Sequence, residues 1–259
     1  MPGPDLSLLT EAVAEAGQIA LRYFRADPQV WDKGGSHGPV SEADLAVNAF
    51  LKDRLRGARP DYGWLSEETP DGAERLSCNR LFIVDPIDGT RAFIAGEPNF
   101  AISVAVAEAG EVVAAVVGLP AKGRLYSAAV GDAARRDGVP IVASLREVLE
   151  GAHVLATKAN MGAEHWPGGV PELQRSFRTS LAYRLCLVAE GRYDGMLTFR
   201  PTWEWDIAAG ALICAQAGVR VTDRKGAALR FNSRAAQTDG VIATAPALHG
   251  QILARVSPG

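Results

Sequence analysis

A short apolar run that ends in two carboxylates places the strongest constraint on this chain. Residues 81–84 are Leu-Phe-Ile-Val, and Asp85-Pro86-Ile87-Asp88 follow directly. The apolar run predicts a buried strand, and proline, which fixes its own φ and has no N–H, predicts a rigid turn at the end of that strand. Such a turn can direct both carboxylates and the Ile87 carbonyl to one point. The chain must therefore fold so that charged groups lie at the end of a buried strand.

These groups are hard oxygen ligands, the kind that suits Mg²⁺, Ca²⁺ or Mn²⁺. Gly89 and Thr90 come next and predict the start of a helix, whose free N–H groups can hold an anion. A plain turn is the alternative interpretation, because Asp-Pro and Asp-Gly are ordinary turn dipeptides. Further carboxylates elsewhere in the chain favour the metal and phosphate site.

Three more acidic residues stand where they can join the same site. Glu67 follows a short apolar strand, Asp44 lies in the first turn of a helix opened by Ser41, and Asp206 lies in the first turn of a helix rich in small residues. Each has a simpler alternative role, as a solvated loop residue or as a carboxylate that favours a helix N-terminus. Taken together they form an acidic set whose buried like charges would repel one another, so the set requires bound cations.

Composition excludes several other functions. A hydrophobic content of 47% is typical of a soluble globular protein, and a formal charge of −3 offers no basic surface for a nucleic acid polymer. The 3 cysteines and 4 histidines are scattered, which argues against a disulfide framework and a zinc site. No leader peptide and no apolar run of about 18 residues is found. We therefore expect a cytoplasmic protein without a membrane span.

Helical and strand patterns alternate along the chain, which predicts a layered α/β or α+β fold. A boundary near residue 142 divides it into an N-terminal half, 1–142, with most of the ligands and a C-terminal half, 143–259, with the last ligand and the substrate pocket. Residues 33–39 form a glycine-rich loop. The predicted helices cover about residues 5–26, 41–55, 180–191, 206–213 and 247–255, and the predicted strands cover 63–66, 81–84, 100–107, 111–118, 124–129, 153–157, 194–199, 219–222 and 240–244.

Three segments resemble the signatures of the inositol monophosphatase superfamily of Mg²⁺-dependent, lithium-sensitive phosphatases. They are Trp-Leu-Ser-Glu-Glu at 64–68, Asp-Pro-Ile-Asp-Gly-Thr at 85–90 and Trp-Asp-Ile-Ala-Ala-Gly at 205–210. The resemblance implies an α-β-α-β-α sandwich of the inositol monophosphatase and fructose-1,6-bisphosphatase type, usually as a homodimer. It also implies hydrolysis of a small phosphorylated metabolite with two or three Mg²⁺ ions, for which Mn²⁺ can substitute.

The resemblance also implies a role for each matched residue. Asp44 and Thr90 match the pair that positions and activates the attacking water, with Glu67 beside them, and the amides of Gly89 and Thr90 match the phosphate cradle. A Ca²⁺-binding module and a non-catalytic anion-binding relative are the alternatives, although the EF-hand pattern is absent. The implied metal ligands are Glu67, Asp85, the Ile87 carbonyl, Asp88 and Asp206.

The substrate is predicted from the residues around the last ligand. The position seven before Asp206 is usually acidic in relatives that act on inositol phosphates, and here it is Phe199. Residues 199–202 and 186–191 are more similar to the 3′(2′),5′-bisphosphate nucleotidase branch, so we expect Phe199 to stack on a base and Arg178, Arg184 or Arg200 to meet a second phosphate. Inositol 1-phosphate and histidinol phosphate are the alternative substrates, and a place for Phe199 in the strand core is the alternative to stacking. The candidate pocket residues are Lys33, Ser180, Arg184, Phe199 and Arg200.

Overall fold

Helices and strands alternate through the parts of the chain that the computed structural model describes, residues 3–32, 34 and 38–256. The helices are α1 Pro4–Tyr23, α2 Glu42–Ala58, α3 Thr90–Ile94, α4 Leu181–Ala189, α5 Glu204–Gln216 and α6 Pro246–Leu253. The strands are β1 Val30–Asp32, β2 Pro39–Ser41, β3 Gly63–Ser66, β4 Arg80–Asp88, β5 Ala101–Glu108, β6 Glu111–Leu119, β7 Arg124–Ala129, β8 Arg135–Arg136, β9 Val139–Pro140, β10 Ala152–Ala156, β11 Leu173–Ser176, β12 Gly195–Trp203, β13 Arg220–Thr222 and β14 Gln237–Thr244.

Two mixed sheets carry the fold. The first has the order β3-β4-β5-β6-β7-β8-β9 and is antiparallel except for the parallel pair β3 and β4. The second has the order β11-β10-β12-β14-β13, in which β10 runs parallel to both of its neighbours. The strands of the two sheets lie on opposite sides of residue 142, where a division into two halves remains a prediction.

Three apolar clusters arrange these sheets and the helices into five layers. Helices α1 and α2 pack on the outer face of the first sheet through residues such as Leu9 and Leu51. Helices α4 and α5 lie between the two sheets, and α6 covers the other face of the second sheet with Leu248 and Ile252. This order confirms the predicted α-β-α-β-α sandwich. Among the described residues, no helix has the length and apolar character that crossing a membrane requires.

Strand β4 forms the buried strand that its apolar run predicts, but it does not end where the carboxylates begin. It continues to Asp88, and its pairing with β5 shifts register between Asp85 and Asp88. Pro86 lies inside this irregular stretch, since a residue without an N–H is tolerated in a sheet only at edges and bulges. The turn predicted at the strand end is therefore a bulge within the strand, and it redirects the two carboxylates.

The elements that the sequence did not predict are short. Strands β1, β2, β8, β9 and β11 have two to four residues each, too few for a periodic pattern to develop. Strand β12 is longer than expected and runs to Trp203, so that α5 begins immediately afterwards at Glu204. Lys33 and residues 35–37 of the glycine-rich loop lie outside the described residues.

Close packing of α5 against α4 depends on a glycine. A Cβ added at Gly210 would lie 2.6 Å from the Cβ of Leu185, much closer than two carbon atoms can approach. The small residues of α5 thus allow two helices to fit between the sheets, and α5 carries Asp206 into the site.

We predict that Gly210→Ala destabilises the protein by about 1–3 kcal/mol, because the new methyl group overpacks the contact with Leu185. Helix propensity acts in the opposite direction by about 1 kcal/mol, so the measured loss is a net value. Urea unfolding at equilibrium measures this change.

The matched control is Gly250→Ala in α6, where an added Cβ meets nothing within 4 Å. This substitution should leave stability unchanged or raise it by about 0.5–1 kcal/mol. A Gly210→Ala protein as stable as the wild type would show that α4 and α5 can separate without cost.

Candidate active site

The bulge in β4 places Asp88 at the start of α4, with Asp85 close to it. Asp85 is buried and its Oδ1 accepts a hydrogen bond from the amide of Ile87 at 3.0 Å. The Oδ2 of Asp88 accepts hydrogen bonds from Ser180 Oγ and from the amide of Ala182, both at 2.6 Å. Since Ser180 is the N-cap of α4, Asp88 also lies at the positive end of that helix. The structure thus places Ser180, a predicted pocket residue, as a hydrogen-bond donor to Asp88.

Asp206 and Glu67 reach the same place from other elements. Asp206 lies in the first turn of α5, and carboxylate oxygens of Asp85, Asp88 and Asp206 lie within 4.8 Å of one another. Glu67 directly follows β3, and its amide donates to the carbonyl of Val84 in the parallel neighbour β4. The side chain of Glu67 lines the same cavity as the three aspartates.

The electrostatic state of this cluster favours the binding of cations. Burial raises the pKa of Asp85 and of Asp206 well above the usual range, and the charges of the neighbouring carboxylates raise it further. Burial also raises the pKa of Asp88, to about 6, against the opposing hydrogen bonds from Ser180 and Ala182. Carboxylates with a nearby backbone carbonyl fit hard divalent cations such as Mg²⁺ or Mn²⁺, which remove this repulsion. The donor set therefore fits the metal that the sequence predicts.

Asp44 and Thr90 are joined beside the cluster. Thr90 Oγ1 lies 3.1 Å from Asp44 Oδ1 and 3.1 Å from the carbonyl oxygen of Ile87, so its single proton can be donated to either. The other carboxylate oxygen of Asp44 accepts hydrogen bonds from the amide and hydroxyl of Ser41, which begins α2. Burial raises the pKa of Asp44 to about 6, although the Ser41 hydrogen bonds oppose the shift. Asp44 therefore caps a helix and also contacts the site, two roles that sequence alone left as alternatives.

Gly89 lies between Asp88 of the carboxylate cluster and Thr90, and its backbone conformation favours glycine. Its φ is +99°, and a Cβ there would lie 3.1 Å from the carbonyl oxygen of Asn99. Both the left-handed backbone and the close approach exclude a side chain. Gly89 and Thr90 line the cavity, at the place where the sequence predicts a phosphate.

A cavity of about 410 Å³ extends from the carboxylates to an aromatic and basic rim, which we call the acidic cavity. The rings of Trp203 and Trp205 line it and stack on each other, with centroids 4.7 Å apart and planes inclined by 8°. Arg91 and Arg200 line it as well. Sequence reasoning missed the two tryptophans as pocket residues, although their position immediately before Asp206 was an available signal.

Phe199 does not lie at the rim, where stacking on a base would require it. Its ring is 2% exposed and packs against His165 and Trp166, with centroids 5.0 Å and 5.8 Å away. The pairing of β12 with β14 shifts register between Thr198 and Pro201, and within this irregular stretch Arg200 lines the acidic cavity whereas Phe199 enters the core behind it. Phe199 therefore lies in the strand core, which was the alternative to stacking on a base.

Arg184 also lies behind the cavity wall. Its buried guanidinium donates to the carbonyls of Arg178 and Thr179 and sits 4.4 Å from the centroid of the Phe177 ring. In this position Arg184 supports the segment 177–179, which forms part of the wall. The remaining pocket candidate, Lys33, lies outside the described residues.

Comparison with known proteins agrees with this geometry. Residues 4–258 match the model of the inositol monophosphatase family. The chain is 36% identical to an inositol-1-monophosphatase of Rhizobium meliloti (strain 1021) over 85% of its own length and 86% of the relative's. It is 35% identical to the 3′(2′),5′-bisphosphate nucleotidase CysQ of Escherichia coli (strain K12) over 88% of its own length and 94% of the relative's. Its fold is similar to that of the Thermotoga maritima IMPase, with a TM-score of 0.82, 29% identity and coverage of 96% and 94% of the two chains.

We predict that the metal-free protein loses stability as the pH rises from about 4 to 7. The pKa values of Asp44 and Asp88 rise from 3.8 to about 6 on folding, so folding favours their protonated forms. This contribution is complete below pH 3.8 and is lost as the pH rises through about 6. Thermal unfolding in a chelator should show a decrease of several degrees, and Mg²⁺ should reverse it near neutral pH.

Asp85→Asn should raise the melting temperature of the metal-free protein at about pH 7.5, because it removes a charge from the cluster. It should also reduce the gain in stability on adding Mg²⁺. Asp53→Asn, at an exposed position of α2, is the control and should change neither quantity. A metal-free protein with constant stability over this pH range would contradict the electrostatic argument.

Proposed function

We propose, from the fact that this chain belongs to the inositol monophosphatase family, that it uses Mg²⁺ and an activated water molecule to hydrolyse a nucleotide bisphosphate. Membership of the family makes the chain a phosphatase, which is a phosphoric monoester hydrolase. One observation carries the proposed mechanism: Thr90 lines the same cavity as the carboxylate cluster and is hydrogen-bonded to the buried Asp44. The homodimer and the cytoplasmic location implied earlier remain predictions.

Two or three Mg²⁺ ions are proposed to bind the carboxylate cluster. The proposed ligands come from β3, β4 and α5, and together they supply the charge that a divalent cation requires. When bound, these ions neutralise the charge of the substrate phosphate and lower the pKa of water. The ligands are Glu67, Asp85, the Ile87 carbonyl, Asp88 and Asp206.

The chain's own contribution to the attack is a route for a proton. Thr90 Oγ can accept a proton from a water molecule in the cavity while it donates its own proton to Asp44 Oδ1, 3.1 Å away. A pKa of about 6 suits Asp44 to accept that proton near neutral pH. The hydroxide produced attacks phosphorus, and the departing alkoxide takes a proton from solvent. Neither step requires a covalent bond to the protein.

The phosphate group is proposed to lie against the turn at Gly89. The absence of a side chain at that position allows the amides of Gly89 and Thr90 to approach the phosphate closely. Glu67 lines the same cavity and completes the proposed catalytic set with Asp44 and Thr90.

The stacked tryptophans support a nucleotide as the substrate. Trp203 and Trp205 present aromatic surface to the acidic cavity, on which a base can stack. Arg91 and Arg200 line the same cavity and can pair with a second phosphate. The 35% identity to a 3′(2′),5′-bisphosphate nucleotidase agrees with this assignment.

Inositol 1-phosphate is the second candidate substrate. It is favoured by the 36% identity to the Rhizobium meliloti inositol-1-monophosphatase. The residues around the carboxylate cluster suit any phosphate monoester. The two candidate substrates therefore differ in their contacts with the rim of the acidic cavity and not in the reaction.

We predict that Thr90→Ala lowers kcat by about 10²–10⁴-fold at saturating Mg²⁺, because it breaks the proton route to Asp44. Phosphate release from 3′-phosphoadenosine 5′-phosphate measures the rate. The wild-type protein should release no phosphate in a chelator and regain full activity with Mg²⁺.

The control for this variant is the stabilisation that Mg²⁺ provides, measured by thermal unfolding, which should remain close to that of the wild type. Asp206→Asn should instead lose both activity and this stabilisation, since it removes a carboxylate from the cluster. Full wild-type activity in chelator would overturn the mechanism.

We predict a kcat/KM for 3′-phosphoadenosine 5′-phosphate at least tenfold above that for inositol 1-phosphate, histidinol phosphate or fructose 1,6-bisphosphate. Tenfold corresponds to about 1.4 kcal/mol of transition-state binding. Trp203→Ala should lower the value for the nucleotide by about fivefold or more, because stacking contributes about 1–3 kcal/mol per base.

The same variant should change kcat/KM for a substrate without a base, inositol 1-phosphate, by less than about twofold. An equal loss on both substrates would mean that Trp203 supports the fold of the site. A tenfold preference for inositol 1-phosphate by the wild type would replace the nucleotide with the second candidate.

A further inference from the structure

A second cavity lies next to the acidic cavity and has the opposite charge. Its volume is about 610 Å³, and Phe177 and Thr179 line both cavities. Four cationic side chains surround it: those of Lys122, Arg124, Arg178 and Arg192. We call it the basic cavity. The mechanism proposed above uses none of these four residues.

The positive charge of the basic cavity lacks a matching negative charge. Among the residues that the structure describes, Glu97 is the one acidic residue in its lining, and it is exposed. Within residues 3–32, 34 and 38–256, none of the four cationic side chains forms an ion pair. Other surface arginines of this chain do pair, for example Arg54 with Glu11 at 3.1 Å and Arg255 with Glu150 at 2.8 Å.

Two of the cations are held in place by the protein. The Lys122 ammonium lies 5.6 Å from the centroid of the Tyr183 ring, and Arg178 donates to the carbonyl of Phe177 and to the Tyr193 hydroxyl. Burial lowers the pKa of Lys122, and the charges of Arg124, Arg178 and Arg192 lower it further. A cation held under these conditions gains stability when an anion binds beside it.

We propose that the basic cavity binds a small polyanion with two or more phosphate groups, at a site separate from the carboxylate cluster. Four cations around one cavity match the charge of such a molecule, and arginine and lysine are the side chains that recognise phosphate. Its position across the segment 177–179 allows simultaneous occupation of both cavities. The proposal does not depend on the substrate assigned above.

The test is calorimetric titration of the whole protein with inorganic pyrophosphate in EDTA without divalent metal. Under these conditions the carboxylates of the acidic cavity repel an anion, so binding reports the basic cavity. We expect saturable binding of one pyrophosphate per chain, weakened at least tenfold by Lys122→Ala combined with Arg192→Ala. Single Arg192→Ala, at an exposed position, should weaken binding in the same direction if the double variant unfolds.

Two control variants each remove one arginine that does not line the basic cavity. Arg234→Ala changes an exposed residue that lines neither cavity, and Arg200→Ala changes one that lines the acidic cavity. Both should bind pyrophosphate within about twofold of the wild type. The proposal is overturned if the wild type shows no saturable binding, if all variants bind equally, or if Arg200→Ala has the larger effect. Activity with Mg²⁺, measured separately, tests the proposed function independently.

Discussion

Repulsion among buried carboxylates is the constraint on which this structure depends. Asp85, Asp88 and Asp206 place oxygens within 4.8 Å of one another in a largely buried site, where burial and the neighbouring carboxylate charges raise the pKa of Asp85 and of Asp206. A fold whose only task was stability would replace such a cluster with apolar side chains. The cluster is consistent with a protein that binds cations there and accepts lower stability without them.

The two sheets are needed to assemble this cluster. Asp85 and Asp88 belong to the first sheet, whereas Asp206 lies in the first turn of α5, which directly follows the longest strand of the second sheet. Helix α4 contributes as well, since its N-cap Ser180 and the amide of Ala182 hold Asp88. The layer of α4 and α5 between the sheets therefore packs the core and also brings the three carboxylates together.

The segment 177–179 separates two cavities of opposite charge. On one side lie the carboxylates and the stacked tryptophans, and on the other side lie four cations. Arg184 fixes this segment from behind through the carbonyls of Arg178 and Thr179. A buried arginine that donates to backbone carbonyls supports the cavity wall. Arg184 can therefore shape the site without contacting a ligand.

The sequence by itself determined the layered fold, most helices and longer strands, and the residues of the carboxylate set, because apolar periodicity and local motifs are properties of short segments. Only the tertiary structure decided which side chains face the cavity. Phe199 and Arg200 are neighbours in sequence, yet at the register shift of β12 one is buried and the other lines the acidic cavity. The basic cavity likewise could not be predicted from the sequence. Its cationic residues come from distant segments that meet only when the sheets and α4 pack together: Lys122, Arg124, Arg178 and Arg192. Side-chain direction and long-range proximity depend on register and packing, which no local pattern encodes.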